Sequence, residues 1–267
     1  MLNLSILIRN ILDALTTSVM PVEHTVDKLE YGDPYSTVEG IAVTFLARQE
    51  VIEKAKALGA NLIISHEGIF YSHWGKRELL RTDPVYQKKC QTIEESKMAI
   101  YRFHDYIHEY MPDGIMKGLL RSLEWQNCEV ENQPTASIIV IPEVTLQDVI
   151  YHVKKCLGIQ YIRFTGDTTM SCKRIGLLVG YRGGGDLAIP LFEKQNLDLV
   201  IYGEGPEWET PEYVRDAIHQ GNQKALIVLG HAESEVPGME YFTHWLQEKF
   251  PSIPVHFIPQ EPIFRIL

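Results

Sequence analysis

The stretch NLIISHEG, residues 61–68, decides the reading of this chain: a short apolar run ends abruptly in two ionisable side chains, His66 and Glu67, followed by a glycine. A run of that length bounded by turn residues is the pattern of a strand buried on both faces, as in a parallel sheet. The same pattern stands on either side. GIAVTFL (40–46) leads into the helical stretch RQEVIEKAKALG (48–59), and an amphipathic stretch from Val85 to Lys97 leads into MAIYRFH (98–104). Strands alternating with helices predict βαβ units and an α/β fold with a mostly parallel or mixed sheet.

The pattern recurs further on. TASIIVIPE (135–143), KRIGLLVG (173–180), a helix near Leu187–Gln195, LDLVIYGE (197–204), a helix from Pro211 and ALIVLGH (225–231) repeat the plan. The polar segment from Gln126 to Gln133 marks the join, so the expected domains are an N-terminal α/β lobe over 1–128 and a C-terminal α/β lobe over 129–267, with a metal cleft between them. Residues 61–68 lie without a gap against DLVIYGEG (198–205), which sets Glu67-Gly68 on Glu204-Gly205. AIYRFHDYIH closes on H-x-x-x-H (His104, His108), while LIVLGHAESE closes on H-x-x-x-E (His231, Glu235). Buried strands share a small apolar vocabulary, but the same order in both halves points to an internal duplication.

In parallel α/β sheets ligands collect beyond the carboxyl ends of strands, and all four special segments stand where an apolar run stops. Imidazole and carboxylate are donors that zinc, iron and manganese accept, and five of them, His66, Glu67, His108, His231 and Glu235, suit two divalent ions better than one structural zinc. His66 and Glu67 could instead polarise a turn, and His108 could lie on an exposed helix face. His104 and Asp105 are further ligands, orienting partners of a ligating ring, or a helix cap. His73, His152, His219, His244 and His256 read as surface or packing residues. The glycine-rich run VGYRGGGD (179–186) has its glycines at 180, 183, 184 and 185, which fits neither G-x-G-x-x-G nor a Walker loop; it reads as a phosphate cradle or, more simply, a tight turn.

Composition sets limits. Thirty-five acidic against 25 basic residues give a formal charge of −10, which argues against nucleic acid as the partner and for a small molecule or protein. Cys90, Cys128, Cys156 and Cys172 are scattered without a C-x-x-C, as a cytoplasmic protein allows. The first 15 residues, MLNLSILIRNILDAL, carry apolar residues at helical spacing interrupted by Asn3, Arg9, Asn10 and Asp13, and predict an amphipathic docking helix. No apolar run reaches the roughly 20 residues that span a bilayer, so no membrane association is expected.

Taken together, GANLIISHEGIFYSHWGK, FHDYIH, DLVIYGE and LGHAESEVPGMEYF stand in the order found in the GTP cyclohydrolase 1 type 2 homologues, the NGG-interacting-factor-three-like dinuclear metal proteins, and the chain resembles the short form of that family. The resemblance implies a two-lobed fold, a dinuclear centre and a toroidal homohexamer. Two positions depart from the family pattern: His-His is usual where His66-Glu67 stands, and H-x-x-x-D where His104 to His108 stands. The exchange is reciprocal, so three imidazoles and two carboxylates remain. The expected function is that of a metal-dependent hydrolase acting on a small heterocyclic or phosphorylated substrate through a metal-activated water, with Glu204 as acid or base. The alternative is a metal-loaded oligomer that binds or regulates without turnover.

Overall fold

The computed structural model describes residues 5–267 with the exception of residue 76. The chain runs α1 (Ile8–Thr16), β1 (Lys28–Tyr31), β2 (Ile41–Leu46), α2 (Gln49–Ala57), β3 (Leu62–Glu67), α3 (Pro84–Ser96), β4 (Ala99–Arg102), α4 (Asp105–His108), α5 (Gly114–Ser122), β5 (Glu129–Asn132), β6 (Ser137–Thr145), α6 (Leu146–Leu157), β7 (Arg163–Thr165), β8 (Ser171–Leu178), α7 (Gly185–Lys194), β9 (Leu199–Tyr202), α8 (Thr210–His219), β10 (Ala225–Val228), α9 (His231–Lys249) and β11 (Val255–Phe257). It is an α/β fold with two mixed sheets flanked by helices. Of the expected N-terminal helix, residues 1–4 lie outside the described residues; α1 buries Ile8, Ile11 and Leu15 on one face.

The apolar runs become strands because each is covered on both faces. β2, β3, β4 and β9 are buried almost end to end, as parallel strands under helices must be. Helix ends follow local chemistry. The Asp83 carboxylate accepts the Val85 and Tyr86 N–H groups, each at 3.0 Å, with Pro84 at the first helical position of α3. Thr145 and Asp148 close a reciprocal capping box on α6, which stops at Gly158 in the left-handed region (φ 65°).

The first sheet has the order β1-β4-β3-β2-β11, parallel throughout except for β1. The second has the order β5-β6-β8-β9-β10-β7, with β8, β9 and β10 parallel and the remaining strands antiparallel to their neighbours. Each sheet thus holds a parallel trio whose third strand carries an antiparallel edge strand. The registers match as well: Ile41, Leu62 and Ala99 share one row, and Ile175, Leu199 and Ala225 the other. In these rows Glu67 falls on Glu204 without a gap. His104, however, falls on Gly230 and His231 on Asp105, so the H-x-x-x-H and H-x-x-x-E signatures are one residue out of step.

Two compact units result. One comprises residues up to Gly114 together with Met239–Glu261, the other Ile115–Gly238 with Pro262–Leu267. This differs from a division at 128/129. β11 pairs in parallel with β2, Val255 opposite Ile41, and so completes the first sheet from the far end of the chain. Without it β2 would be an edge strand with an open row of backbone groups. The first unit centres on Val51, Ile52, Ile63, Phe70, Ile93 and Ile100; the second on Ile138, Leu178, Phe192, Val200 and Tyr202.

Among the described residues no helix is long and apolar enough to cross a membrane.

Candidate metal centre

In the first unit β3 delivers His66 and Glu67, and the turn after β4 delivers His104 and His108. The one-turn helix α4 exists because Asp27, far away in sequence, caps it. Its carboxylate accepts the backbone N–H groups of His104, Asp105 and Tyr106 at 2.7, 2.8 and 3.0 Å. Burial raises the Asp27 pKa, the three N–H bonds pulling the other way. The result is a cluster of imidazoles: ring centroids are 4.6 Å apart for His66 and His104, and 5.2 Å for His108 with either. His66 is fully buried.

Each ring is held by its Nδ1. His66 Nδ1 lies 3.1 Å from the Phe103 carbonyl oxygen, His104 Nδ1 2.8 Å from Asp105 Oδ1, and His108 Nδ1 2.9 Å from Asp113 Oδ2. All three acceptors take a proton from Nδ1, which fixes the tautomer with the lone pair on Nε2. Asp105 is itself anchored by the Val26 N–H at 2.7 Å. Although burial works to raise the Asp105 pKa, bonds from His104, Val26 and Thr25 hold it well below the usual carboxylate range. Burial pushes His104 down to about 4, the Asp105 bond opposing this and the neighbouring His66 and His108 adding to it. His104 is therefore neutral at pH 7.

Glu67 stands beside this cluster with its two oxygens differently employed. Oε2 accepts Arg102 Nη2 at 3.1 Å, and the same nitrogen lies 3.1 Å from His73 Nδ1. Oε1 faces His104 Nε2 at 3.7 Å. A neutral imidazole nitrogen and a carboxylate oxygen, both acceptors, thus point at each other, an arrangement a cation relieves. Two groups in this unit could hold a metal ion, each with its ligand atoms within 4.8 Å of one another: His66, His104 and His108, and Glu67, His73 and His104. Neutral, oriented imidazoles with an adjacent carboxylate fit a divalent transition ion.

In the second unit α9 opens with His231 and Glu235 one turn apart. Its first turn is pinned down: the Gly180 N–H donates to Ser234 Oγ at 2.9 Å, and that hydroxyl donates to the His231 carbonyl at 2.8 Å. Gly203, the counterpart of His66 by register, has no room for a side chain, since a Cβ there would collide with Ser234 Oγ and the Gly180 backbone. Further along, a Cβ on Gly118 of α5 would collide with Gly238 of α9, so the two helices meet backbone to backbone. His231 Nδ1 lies 3.0 Å from Glu204 Oε2 and its Nε2 3.2 Å from Glu235 Oε2. Glu235 is buried, whereas about half of the Glu204 side chain is exposed (49%).

The structure thus brings His66, Glu67, His104, Asp105 and His108 together in one unit, and Glu204, His231 and Glu235 together in the other. Asp105 serves as the partner of the His104 ring. Asp27, Arg102 and Asp113 were not singled out from the sequence, and no spacing signal marks them, because each acts across a loop. His73, read as surface or packing, lies 4.0 Å from Glu67 Oε2. His152 does pack, stacking on Trp125 with a 5.1 Å centroid separation. The glycine-rich run forms the turn into α7, and its helix-start N–H, Gly185 N, donates to Glu209 Oε2 at 2.7 Å. A carboxylate of the chain itself thus sits where a bound phosphate would. Gly183 is required by space, a Cβ there running into Tyr202 and the Glu204 carbonyl.

Comparison with known proteins agrees with this architecture. The chain is 24% identical over 237 residues to the GTP cyclohydrolase 1 type 2 homolog of Clostridium perfringens, covering 86% of each protein. It is also 24% identical to the homolog of that name from Chlamydia trachomatis, covering 89% of this chain and 91% of the relative. Among solved structures, a Bacillus cereus protein related to NIF3 superposes with a TM-score of 0.76 at 16% identity over 98% of this chain and 99% of that one. The protein ybgI, of unknown function, superposes with a TM-score of 0.75 at 20% identity over 96% and 97%. The sequence profile of one family matches residues 22–262, nearly the whole chain, and this protein therefore belongs to the Duf34/NIF3 (NGG1p interacting factor 3) family.

Proposed function

We propose that the protein binds two divalent ions per chain, of zinc, iron or manganese, and uses them as a hydrolase on a small heterocyclic or phosphorylated substrate. His66, Glu67, His108, His231 and Glu235 are the ligands in this reading. The observation that carries it is the presentation of the rings: four imidazoles are held through Nδ1 by a carboxylate or carbonyl, which leaves Nε2 as the ligand atom of each. Bound ions would supply Lewis acidity and a water acidic enough to act as nucleophile near neutral pH. The chain's own part is to hold the donors neutral and aligned and, through the half-exposed Glu204, to give or take a proton. The heterocyclic substrate class draws on the printed name of the relatives.

A second reading, a metal-loaded oligomer that binds without turnover, is favoured by one detail. Glu204 is already committed to His231 Nδ1 at 3.0 Å, which suits a ring-orienting partner as well as a base. In either case we propose assembly into a toroidal homohexamer, a closed ring of the kind soluble homo-oligomers usually form. Elemental analysis of untagged protein, followed by a hydrolase substrate screen with and without chelator, tests the enzyme reading. Bound metal with chelator-sensitive turnover is the expected result; bound metal without turnover on any phosphorylated or heterocyclic substrate favours the binder. Light scattering gives the mass, and a monomer at micromolar concentration removes the ring.

A further inference from the structure

The chain has four tryptophans, and two of them pack: Trp125 stacks on His152 and Trp245 on Phe242. The other two, Trp74 and Trp208, are 72% and 76% exposed. An indole is large and mostly apolar, so burial alone does not leave it in water. Both exposed indoles stand on a loop that follows one of the two strands matched by register, Trp74 after β3 and Glu67, Trp208 after β9 and Glu204.

The loop that carries Trp74 is tied down at three points. Lys89, buried beneath it, donates to the Ile69 carbonyl and lies over the Phe70 and Tyr71 rings at 5.4 and 5.3 Å. The Gly75 N–H closes a turn on the Ser72 carbonyl at 3.3 Å, and Arg102 donates to the His73 carbonyl. The indole meets the His73 ring at 84° with centroids 4.9 Å apart, and His73 meets the His104 ring at 78° and 5.0 Å. One imidazole therefore separates an exposed indole from the donor cluster of the first unit. A π-face fixed in advance is what stacking needs, since little side-chain entropy is then lost on binding.

Charge decides what stacks there. An aromatic face accepts a planar ring or a cation. The first loop is flanked by Lys28, Arg77, Lys89 and Arg102, against the carboxylates Glu30 and Glu67. Lys28 has a half-exposed side chain, and its Nζ stands 3.9 Å from where a Cβ on Gly75, the residue after Trp74, would lie. That excess disfavours a cationic ligand and favours an anion. Trp208 has the opposite setting, between Glu207 and Glu209, with the Glu207 carboxylate taking up Arg163 at 2.7 Å.

We propose that Trp74 is the stacking platform for the planar base of an anionic nucleotide, with Lys28 beside it as a partner for the phosphate. The two fused rings of indole match a purine in outline, so a purine 5′-phosphate gives the fullest overlap. The proposal rests on the functional reading above in taking the Glu67 and His104 side of the loop as the place of reaction, and it narrows the substrate to a nucleotide.

The test is calorimetric titration of the full chain, stripped with chelator, with AMP and with GMP, so that no turnover is needed. The parent should bind at least one of them, and Trp74→Ala should weaken that binding about 5–100-fold, the loss that removal of a stacked aromatic brings. Trp74→Phe keeps an aromatic face and should recover most of it. Trp208→Ala should stay within about twofold of the parent, the scatter of a surface substitution. Lys28→Met should weaken the nucleotides and leave adenosine and guanosine unchanged. Zinc uptake, measured separately, should be the same in Trp74→Ala as in the parent. Nucleotide binding that survives Trp74→Ala, that falls as far in Trp208→Ala, or that is absent from the parent at millimolar nucleotide overturns the proposal. A parent that takes up no zinc overturns the metal reading instead, and the nucleotide titrations then stand by themselves.

Discussion

Replacing Arg102 with methionine should expose how much the metal-free site depends on this buried cation. Arg102 donates to Glu67 Oε2 at 3.1 Å, with side-chain exposures of 3% and 17%, and also reaches the His73 carbonyl oxygen and ring. Methionine fills most of the stem's volume but leaves the Glu67 carboxylate without its guanidinium partner. Removing one member of a buried pair typically costs about 3–5 kcal/mol, because the surviving charge stays desolvated. At about 2–4 °C per kcal/mol for domains of this size, metal-free Arg102→Met should melt roughly 6–20 °C below the parent. A divalent ion can take over the neutralisation of Glu67, so saturating zinc should raise the variant's Tm by more than it raises the parent's. Scanning calorimetry of both proteins, with chelator and with zinc, measures the four values. A metal-free loss below about 1 kcal/mol would mean that the pair is effectively solvated. Equal zinc shifts in the two proteins would mean that Arg102 and the ion do not share Glu67.

Three further outcomes follow from the same geometry. Gly203→Ala places a methyl against Ser234 Oγ and the Gly180 backbone, and should cost about 1–3 kcal/mol in urea unfolding while loosening the first turn of α9; a change within 0.5 kcal/mol, about the scatter of a surface substitution, would show that the turn can give way. Lys89 is buried, donates to the Ile69 carbonyl, and is pushed by burial down to about 8. Its unfolded form therefore holds more protons between pH 8 and about 10.4, so this residue's contribution makes stability rise with pH across that window, by roughly 3 kcal/mol at most. Lys89→Met, compared with the parent at each pH, should remove that rise; parallel stability curves would refute it. Glu204→Gln keeps an acceptor for His231 Nδ1, so metal affinity should hold. Turnover on a substrate found by the screen should fall about 10²–10⁴-fold if Glu204 transfers a proton, and hardly at all if it only orients the ring.

Much of the fold was legible because burial on both faces writes continuous apolar runs: β2, β3, β4, β9 and β10 all lie inside stretches that read as strands. The short strands did not announce themselves. β1, β5, β7 and β11 have three or four residues each, too few for a period, and exist because a neighbouring edge recruits them. β11 is the clearest case, and it brings a late segment of the chain into the first sheet. At the site, His66-Glu67 and His231 through Glu235 stood out because ionisable groups directly after a buried strand need partners. The partners themselves were silent. Asp27 caps α4 from about 80 positions away, Asp113 reaches His108 across a turn, and Arg102 looked like one residue of a strand. His73 was set aside for want of ligand spacing, yet the loop after β3 folds back and lays it against Arg102 and Glu67. The glycine-rich run could be read two ways until Glu209 was seen at Gly185.

The central claim is that His66, Glu67, His108, His231 and Glu235 are metal ligands, and anomalous diffraction from crystals grown with zinc tests it most directly. The expected result is anomalous peaks about 2.0–2.1 Å from the Nε2 atoms of His66, His108 and His231. A peak bonded to Glu67 and His73 with the His66 and His108 rings left out, or no peak in either unit, would contradict it.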